Sequence, residues 1–465
     1  MPLLLTFPMP MPMPMPMPMQ KPKPLLALVL GLALTLAGAP ARAALPIDHW
    51  TQPSGAKVYL VQSAAIPMVD VQIDFDAGGR RDLPAQAGLA EVMATSTSLG
   101  VRADAGLPAL DENALSDAWA DLGATFTGSA SSDRLSFSLR SLTYPDLLSR
   151  AVNLASRQMG TPAYPQNLWV RERQKQIASL KEANTRPSTV AGRAFAKAVY
   201  GAHPYGFEAT EATLNAIQAT DLRSLHDRLM RPCYARVSLV GAVDRNQADA
   251  LVTQLLSRLP AGGCPALGVV PEVAQLNKAQ ELSIAFKSAQ AHVLMGQPGI
   301  ARSDPDYFAL IVGNHILGGG GFTSRLTEEV RTKRGLTYSV YSYFSPGLHA
   351  GAFTLGLQTR PDQTDQAVSL VREVLRKYIE EGPTDAELQA AKDNLIGGFA
   401  LRLDSNRKLL DNVASIAWNN LPLDYLDHWT EQIARLTPAQ VRAAMAAHLQ
   451  PEKMVTVVLG AQSAP

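Results

Sequence analysis

Two residues late in the chain could stabilise negative charge on a carbonyl oxygen. Arg331 supplies a fork of guanidinium donors, and Tyr338, seven residues later, supplies a phenolic donor. Donors of these kinds can hold an oxygen that gains charge during acyl transfer. In the alternative interpretation both residues are structural: Arg331 lies on an amphipathic helix, and Tyr338 is a strand residue that packs on its sheet. The two residues alone leave both interpretations open.

A run of four glycines precedes this pair: Gly318, Gly319, Gly320 and Gly321. It is not a phosphate-binding loop, because no Gly-Lys-Ser/Thr follows and the strand-to-helix context of a dinucleotide site is missing. Glycine tolerates positive φ, so the run predicts a flexible turn between a helix that ends near Leu317 and one that starts at Ser324. This turn is either a binding loop or only a hinge.

Other kinds of chemistry find little support. The eight histidines never lie within fifteen residues of one another, so no helical pair of His ligands exists. Cys233 and Cys264 are the only cysteines, and they predict one disulfide or two buried thiols. No G-x-S-x-G elbow occurs. With 42 Lys plus Arg against 41 Asp plus Glu, the chain carries no charge excess that would favour nucleic acid.

Residues 1–43 are typical of an export signal. Two lysines precede an apolar run from Leu25 to Ala37 and the cleavage site Ala41-Arg42-Ala43. The Met-Pro repeat from Pro8 to Pro18 cannot form a helix, and Met19 is a second possible start. Because the apolar run is short for a membrane span, we expect cleavage and a periplasmic or secreted protein that is not integral to the membrane. A signal anchor is the alternative.

The remaining chain repeats one order of elements. Strand-like and helical segments alternate from 44 to 260, and the same order returns from 276 to 465. The Pro- and Gly-containing segment 261–275 is the predicted linker. A length of 465 residues exceeds what one hydrophobic core usually organises. We therefore predict an α+β protein of two homologous domains, each a β-sheet packed with helices.

The glycine turn belongs to a longer pattern. It runs from Leu317 through Ser324-Arg325-Leu326 to Arg331 and then to Gly335-Leu336-Thr337-Tyr338. This order resembles the Gly-rich turn, S-R-L signature and R-x-x-x-G-L-x-Y element of the pitrilysin/insulinase family of zinc peptidases. The similarity is greatest to its two-domain branch, which includes mitochondrial processing peptidase subunits and cytochrome bc1 core proteins. It covers essentially the whole mature chain and implies half of a clam-shell.

The same resemblance implies that the zinc site has been lost. The family's H-x-x-E-H would fall on the residues E-V-M-A-T, with zinc ligands at Glu91 and Thr95 and the general base at Ala94. The third ligand would fall on Ser179. Zinc sites of this type need imidazole ligands, and hydrolysis needs a carboxylate base. The resemblance thus implies no cofactor in this chain and zinc in a partner subunit.

What remains of the family's active site implies a role in binding. Arg331 and Tyr338 would reach the scissile peptide, and the glycine turn would contact substrate. We expect a non-catalytic subunit of a heterodimeric zinc metallopeptidase, paired with a homologous subunit that carries H-x-x-E-H and acting on peptides outside the cytoplasm. The alternatives are a structural or assembly subunit and a stand-alone peptide-binding protein.

Overall fold

Two β-sheets of matching strand order organise the chain. The structure is a computed structural model that describes residues 46–460, so the predicted export signal lies outside the described residues. The strands are β1 (Asp48–Thr51), β2 (Lys57–Gln62), β3 (Met68–Phe75), β4 (Gly100–Val101), β5 (Leu110–Asp111), β6 (Thr125–Ala130), β7 (Leu135–Leu142), β8 (Arg236–Gly241), β9 (Gln280–Ile284), β10 (Ala291–Pro298), β11 (Ser339–Phe344), β12 (Ala352–Thr359) and β13 (Val455–Leu459).

Helices pack around these sheets. They are α1 (Leu89–Ser96), α2 (Glu112–Leu122), α3 (Pro145–Gly160), α4 (Gln166–Ala183), α5 (Pro187–Tyr200), α6 (Glu211–Ala216), α7 (Ala219–Leu229), α8 (Arg245–Leu256), α9 (Tyr307–Asn314), α10 (Thr364–Glu381), α11 (Asp385–Gly397), α12 (Asn406–Trp418), α13 (Tyr425–Ala434) and α14 (Pro438–His448). Two π-helical turns, His315–Gly319 and Thr327–Thr332, follow α9. None of the helices in the described range is long and apolar enough to cross a membrane.

The two large sheets share one topology apart from the additional edge strand β1, and β4 and β5 pair in a separate two-stranded sheet. The first has the order β1-β2-β8-β3-β7-β6, and the second has the order β11-β12-β10-β13-β9. Each sheet contains one parallel pair, which is β2 with β8 in the first sheet and β9 with β13 in the second. The strands that follow this pair in each sheet are antiparallel to their neighbours. Strand β6 ends the first sheet as β11 ends the second. The predicted α+β architecture of two homologous halves is therefore confirmed.

Local signals in the sequence explain many element ends. Helix α14 begins after Thr437, whose hydroxyl accepts the amide of Gln440 while the Gln440 side chain accepts the amide of Thr437. Pro438 stands at the first helical position, where the missing amide costs nothing. Buried residues alternate along β7 and β11, as expected for strands with one face on the core. These signals place the helices and strands but not their partners.

Each half lends one helix to the sheet of the other half. Helix α5 packs Ala191, Phe195 and Val199 on the second sheet. Helix α12 packs Leu410, Val413 and Ala417 on the first sheet. The described residues form one compact unit as a consequence. This exchange is absent from our sequence prediction, because an amphipathic pattern shows that a helix has an apolar face but not which sheet covers it.

Polar contacts near the predicted linker also join the two halves. Residues 261–279 contain no helix or strand. Tyr205 donates its hydroxyl hydrogen to Asp133 at 2.6 Å and accepts the amide hydrogen of His349 at 3.1 Å.

Cys233 and Cys264 form a disulfide with Cα atoms 6.4 Å apart. The sequence had left open whether these two cysteines form one disulfide or are two buried thiols.

Candidate functional site

The predicted binding residues line one groove in the second half of the chain. This aromatic groove has a volume of about 480 Å³ and includes Gly318, Gly319, Gly321, Phe322, Arg331, Tyr338, Tyr341 and Tyr343. Gly320 is the one predicted turn residue that does not line it, because it packs against His315. Arg331 and Tyr338 are therefore brought together on a shared, solvent-accessible surface.

Close packing fixes the glycine turn beside β11. A Cβ atom on Gly318 would lie 2.5 Å from the Ser342 hydroxyl oxygen and 2.6 Å from its amide nitrogen. That hydroxyl donates to the side-chain oxygen of Asn314 at 2.7 Å. Gly321 has φ of +62°, which favours glycine. The turn thus needs glycine at Gly318 for space and at Gly321 for conformation.

Arg331 and Tyr338 present their polar groups to solvent. The Arg331 guanidinium lies 4.9 Å from the centre of the Phe322 ring, in cation–π contact. Tyr338 is 82% exposed and Phe322 is 76% exposed. The structural alternative required Tyr338 to pack on its sheet. The exposure of its side chain shows that it does not. Because exposed aromatic side chains that converge on one groove are typical of binding surfaces, the groove is the strongest candidate for ligand contact.

Arg325 of the S-R-L signature holds the segment in place. Its guanidinium donates to both carboxylate oxygens of Glu387, at 2.6 and 2.7 Å, and to the Gly382 carbonyl at 2.9 Å. Burial alone would raise the pKa of Glu387, but hydrogen bonds from Arg325 and Thr384 outweigh it and lower that pKa to about 2. Arg325 therefore anchors the groove segment to α11 and does not face the groove.

The residues of α1 that the family resemblance aligns with zinc ligands and base have structural contacts. Glu91 accepts the amide hydrogen of Ala130, at the end of edge strand β6, at 2.6 Å. Ala94 is fully buried, and the Thr95 hydroxyl donates to the Glu91 carbonyl at 2.8 Å. A carboxylate, a methyl group and a hydroxyl bound to its own helix do not form a zinc-binding set. These residues do not fit zinc, and no step of a mechanism passes through a metal on α1.

A separate cleft of about 420 Å³ lies beside α1 and α4. Thr95 and Ser179 line it together with Glu112, Glu172 and Lys175. Arg171 bridges Glu112 and Glu172, both at 2.8 Å, and lowers the pKa of Glu112. Our sequence analysis missed Glu172, which is seven residues before Ser179 and hence on the same helix face. Its carboxylate is neutralised by its own neighbours.

Among residues 46–460, side chains with metal-binding geometry occur at one place, away from α1. Ligand atoms of Asp304, Asp306 and His448 lie within 4.8 Å of one another. His448 Nε2 is 3.0 Å from an Asp306 oxygen, which is a hydrogen bond that the imidazole makes without any ion. None of the three residues lines the aromatic groove. We therefore assign them a structural role at the start of α9.

Comparisons with known proteins identify the family. The model for the peptidase M16 inactive domain matches residues 216–395. An uncharacterized zinc protease of Streptomyces coelicolor is 33% identical over 257 residues, which cover 54% of this chain and 55% of that protein. A Helicobacter pylori protein named non-peptidase homolog YmxG is 25% identical over 414 residues, covering 85% of this chain and 90% of that protein. The chain spans 55% to 66% of the first curated relatives.

A solved structure extends the similarity to nearly the whole chain. The crystal structure of the peptidase M16 inactive domain from Pseudomonas fluorescens covers 90% of this chain and 100% of its own. It has a TM-score of 0.83 and 35% sequence identity. The resemblance inferred from the glycine turn and the R-x-x-x-G-L-x-Y element is confirmed. The chain therefore belongs to the M16 peptidase family.

Proposed function

We propose that this chain is the zinc-free subunit of a peptide-cleaving pair. Its partner is a homologous subunit that carries H-x-x-E-H and zinc. This chain holds an extended peptide in the aromatic groove and offers Arg331 and Tyr338 to the carbonyl that is attacked. The observation that carries the proposal is a contrast: Tyr338 is exposed and Arg331 is half-buried at the groove surface, whereas the residues at the positions of the family's zinc ligands and base have contacts within their own half.

The chemistry of the groove supports a backbone ligand. Arg331 presents several N–H donors and Tyr338 one O–H donor to the same groove, and we assign both donors to one carbonyl oxygen of the bound peptide. As that oxygen gains negative charge, both hydrogen bonds strengthen, so the pair favours the tetrahedral state over the bound peptide. Phe322 restricts the Arg331 side chain beforehand, which reduces the entropy lost on binding. This chain supplies binding and charge stabilisation only.

Export of the protein is part of the proposal. The cleavable signal predicted from residues 1–43 leads to the periplasm or the exterior. The disulfide between Cys233 and Cys264 supports this location, because disulfides persist in oxidising compartments and are rare in the cytosol. Peptides outside the cytoplasm are then the available substrates.

A second function is favoured by one comparison. One relative, whose match covers 85% of this chain, is named a non-peptidase homolog, which agrees with a peptide-binding or assembly role without any cleavage. Such a protein would hold extended peptides, or a partner, and would never meet a zinc subunit. The experiment below separates the two functions.

The test is to purify the mature protein from its host with whatever is bound and to assay the eluate for chelator-sensitive peptide cleavage. Arg331→Ala and Tyr338→Phe are compared with Arg334→Ala and Tyr144→Phe, whose exposed side chains lie outside the groove. We expect an H-x-x-E-H homologue in equal amount and a loss of kcat of about 100-fold or more in the first two variants, with assembly intact. Full turnover by an assembled Arg331→Ala pair would contradict the catalytic proposal. A homodimer that binds peptide without cleaving it would establish the second function.

A further inference from the structure

A second cavity opens next to the aromatic groove. It has a volume of about 360 Å³ and lies between α5, which comes from the first half, and the second sheet. Ser339, Tyr341 and Tyr343 line both this cavity and the groove. A ligand in the groove is therefore in contact with the wall of the cavity, which we call the α5 pocket.

The walls of the α5 pocket combine aromatic and aliphatic residues with small and neutral polar ones. The rings of Tyr341 and Tyr343 stack with centroids 5.9 Å apart and an interplanar angle of 18°. Tyr341 lies over Gly356, where a Cβ atom would be 2.5 Å from its ring. On the opposite side, α5 contributes the small residues Ala191 and Gly192. Glycine on the strand admits the Tyr341 ring, and the small residues on the helix leave the space that larger residues would fill.

Charge is missing from the lining. Of the described residues around the α5 pocket, none is Asp, Glu, Lys or Arg. The one titratable group besides tyrosine is His292, and burial lowers the pKa of its imidazole, which keeps it neutral at pH 7. Burying a charged group without a partner is costly, so this pocket excludes charged side chains. The neighbouring groove, in contrast, offers the cation of Arg331.

We propose that the α5 pocket receives one uncharged aromatic side chain of a peptide whose backbone lies in the aromatic groove. The inference rests on the proposed function, since it assigns a side-chain preference to the same ligand. The volume is at the small end of the range of about 300–1,000 Å³ for ligand sites, which suits a single side chain. Stacking on Tyr341 and Tyr343 favours a ring over an aliphatic chain of the same size. Specificity thus comes from α5, a helix of the other half.

Gly192 offers a way to fill the pocket without disturbing the groove. A Cβ atom built on Gly192 meets nothing within 4 Å, and a larger residue in the interior of a helix raises helix propensity. Gly192→Leu therefore projects a side chain into the open space. Ser188→Leu, at the first turn of α5, fills the same pocket from a second position. Gly397→Leu is the matched control, because this exposed helical glycine also has open space and lines neither cavity.

The experiment measures peptide binding by fluorescence anisotropy with the full mature chain. The probes are labelled decapeptides of Ala and Ser, with Phe at each position in turn, and the same peptides with Ala or Asp at that position. At one position or a few, we expect the peptide with Phe to bind about tenfold more tightly than the peptide with Ala. The peptide with Asp should bind no more tightly than the peptide with Ala. Gly192→Leu and Ser188→Leu should bring the ratio of the affinities for the Phe and Ala peptides close to one. Gly397→Leu should keep the ratio of the unmodified protein.

The outcomes separate this inference from the proposed function. If peptides bind but Phe gives no advantage, or if the advantage survives both filling variants, the inference is overturned and the proposed function stands. Arg331→Ala should weaken all peptides by a similar factor, because it acts on the backbone. If none of the peptides binds the unmodified protein, the proposed function is overturned and the inference with it.

Discussion

The carboxylate of Glu91, the residue that the family resemblance aligns with the first zinc ligand, accepts the amide hydrogen of Ala130 at 2.6 Å and so ties α1 to the edge strand β6. Neighbouring amides show why this bond is available. The Ser131 amide donates to the Arg134 carbonyl, and amides alternate in direction along an antiparallel strand, so the amide of Ala130 points away from β7. The Glu91 carboxylate therefore accepts a hydrogen bond from an amide that would otherwise be unpaired at the edge of the sheet.

The first prediction concerns this bond. Glu91→Ala should lower the free energy of unfolding by about 1 kcal/mol, because it leaves the amide without its charged acceptor at a partly exposed site. Glu91→Gln is the matched control and should stay close to the original stability, since its amide oxygen can still accept. Urea denaturation measures both. A chelator should affect the two variants and the unmodified protein equally; if it destabilised only the unmodified protein, a metal role for Glu91 would follow.

The second prediction concerns the support of Arg331 by Phe322. Phe322→Ala removes the ring on which the guanidinium rests, so we expect peptide affinity to fall roughly three- to tenfold. Because Phe322 is largely exposed, the free energy of unfolding should change by less than about 0.5 kcal/mol. Phe322→Tyr should retain affinity, and Leu401→Ala is a control at an exposed residue elsewhere. Unchanged peptide binding by Phe322→Ala would remove the cation–π contact from the account of the groove.

Sequence reasoning located the groove because its residues are close in the chain. Gly318 and Tyr338 are separated by twenty residues, and one turn and two short helical segments suffice to bring them together. The resemblance placed the third ligand position at Ser179, which lies on α4 and lines a cleft together with Thr95. It did not point to Glu172, seven residues earlier on the same helix face. Short-range geometry was therefore predictable.

Contacts between distant segments were not predictable. The α5 pocket needs Gly192 to face Tyr341, and these residues approach only after α5 crosses to the second sheet. The residue types do not indicate this contact, because a glycine in a helix and a tyrosine in a strand are each common by themselves. The predicted architecture of each half, a β-sheet packed with helices, is confirmed, but the exchange of α5 and α12 depends on which apolar faces fit one another, which periodicity does not encode.

The third prediction uses the pair of Arg325 and Glu387. The Glu387 carboxyl has a pKa of about 2 in the folded protein against an ordinary value of 4.5, so its stabilising effect is complete above pH 4.5 and is lost as the pH falls toward 2. After a reduction for its partial exposure, Glu387→Gln should cost about 2 kcal/mol at pH 7 and little at pH 2. Urea denaturation at several pH values measures this difference. Glu373→Gln, at an exposed residue of α10, should show no such dependence; an equal loss at both pH values would exclude the ion pair as its cause.

The fourth prediction follows from the exchanged helices. Phe195 of α5 lies against Gly296 of the second sheet, where a Cβ atom would be 2.9 Å from its ring. Phe195→Ala removes a buried ring and should lower the free energy of unfolding by about 3 to 5 kcal/mol. Since Phe195 belongs to the first half but packs in the second, hydrogen exchange should accelerate on β10 and β13 as well as on α5. Leu401→Ala, an exposed control, should leave exchange unchanged.

Thermal unfolding tests the same relationship in the unmodified protein. Two halves that each complete the core of the other should unfold in a single cooperative transition, because neither sheet keeps its cover when the other half opens. Phe195→Ala should shift that one transition to lower temperature without splitting it. Two separate transitions, with only one of them moved by Phe195→Ala, would show that each half is stable by itself. In that case the α5 pocket could open without unfolding, and its preference for a ring would have to be measured in the closed state.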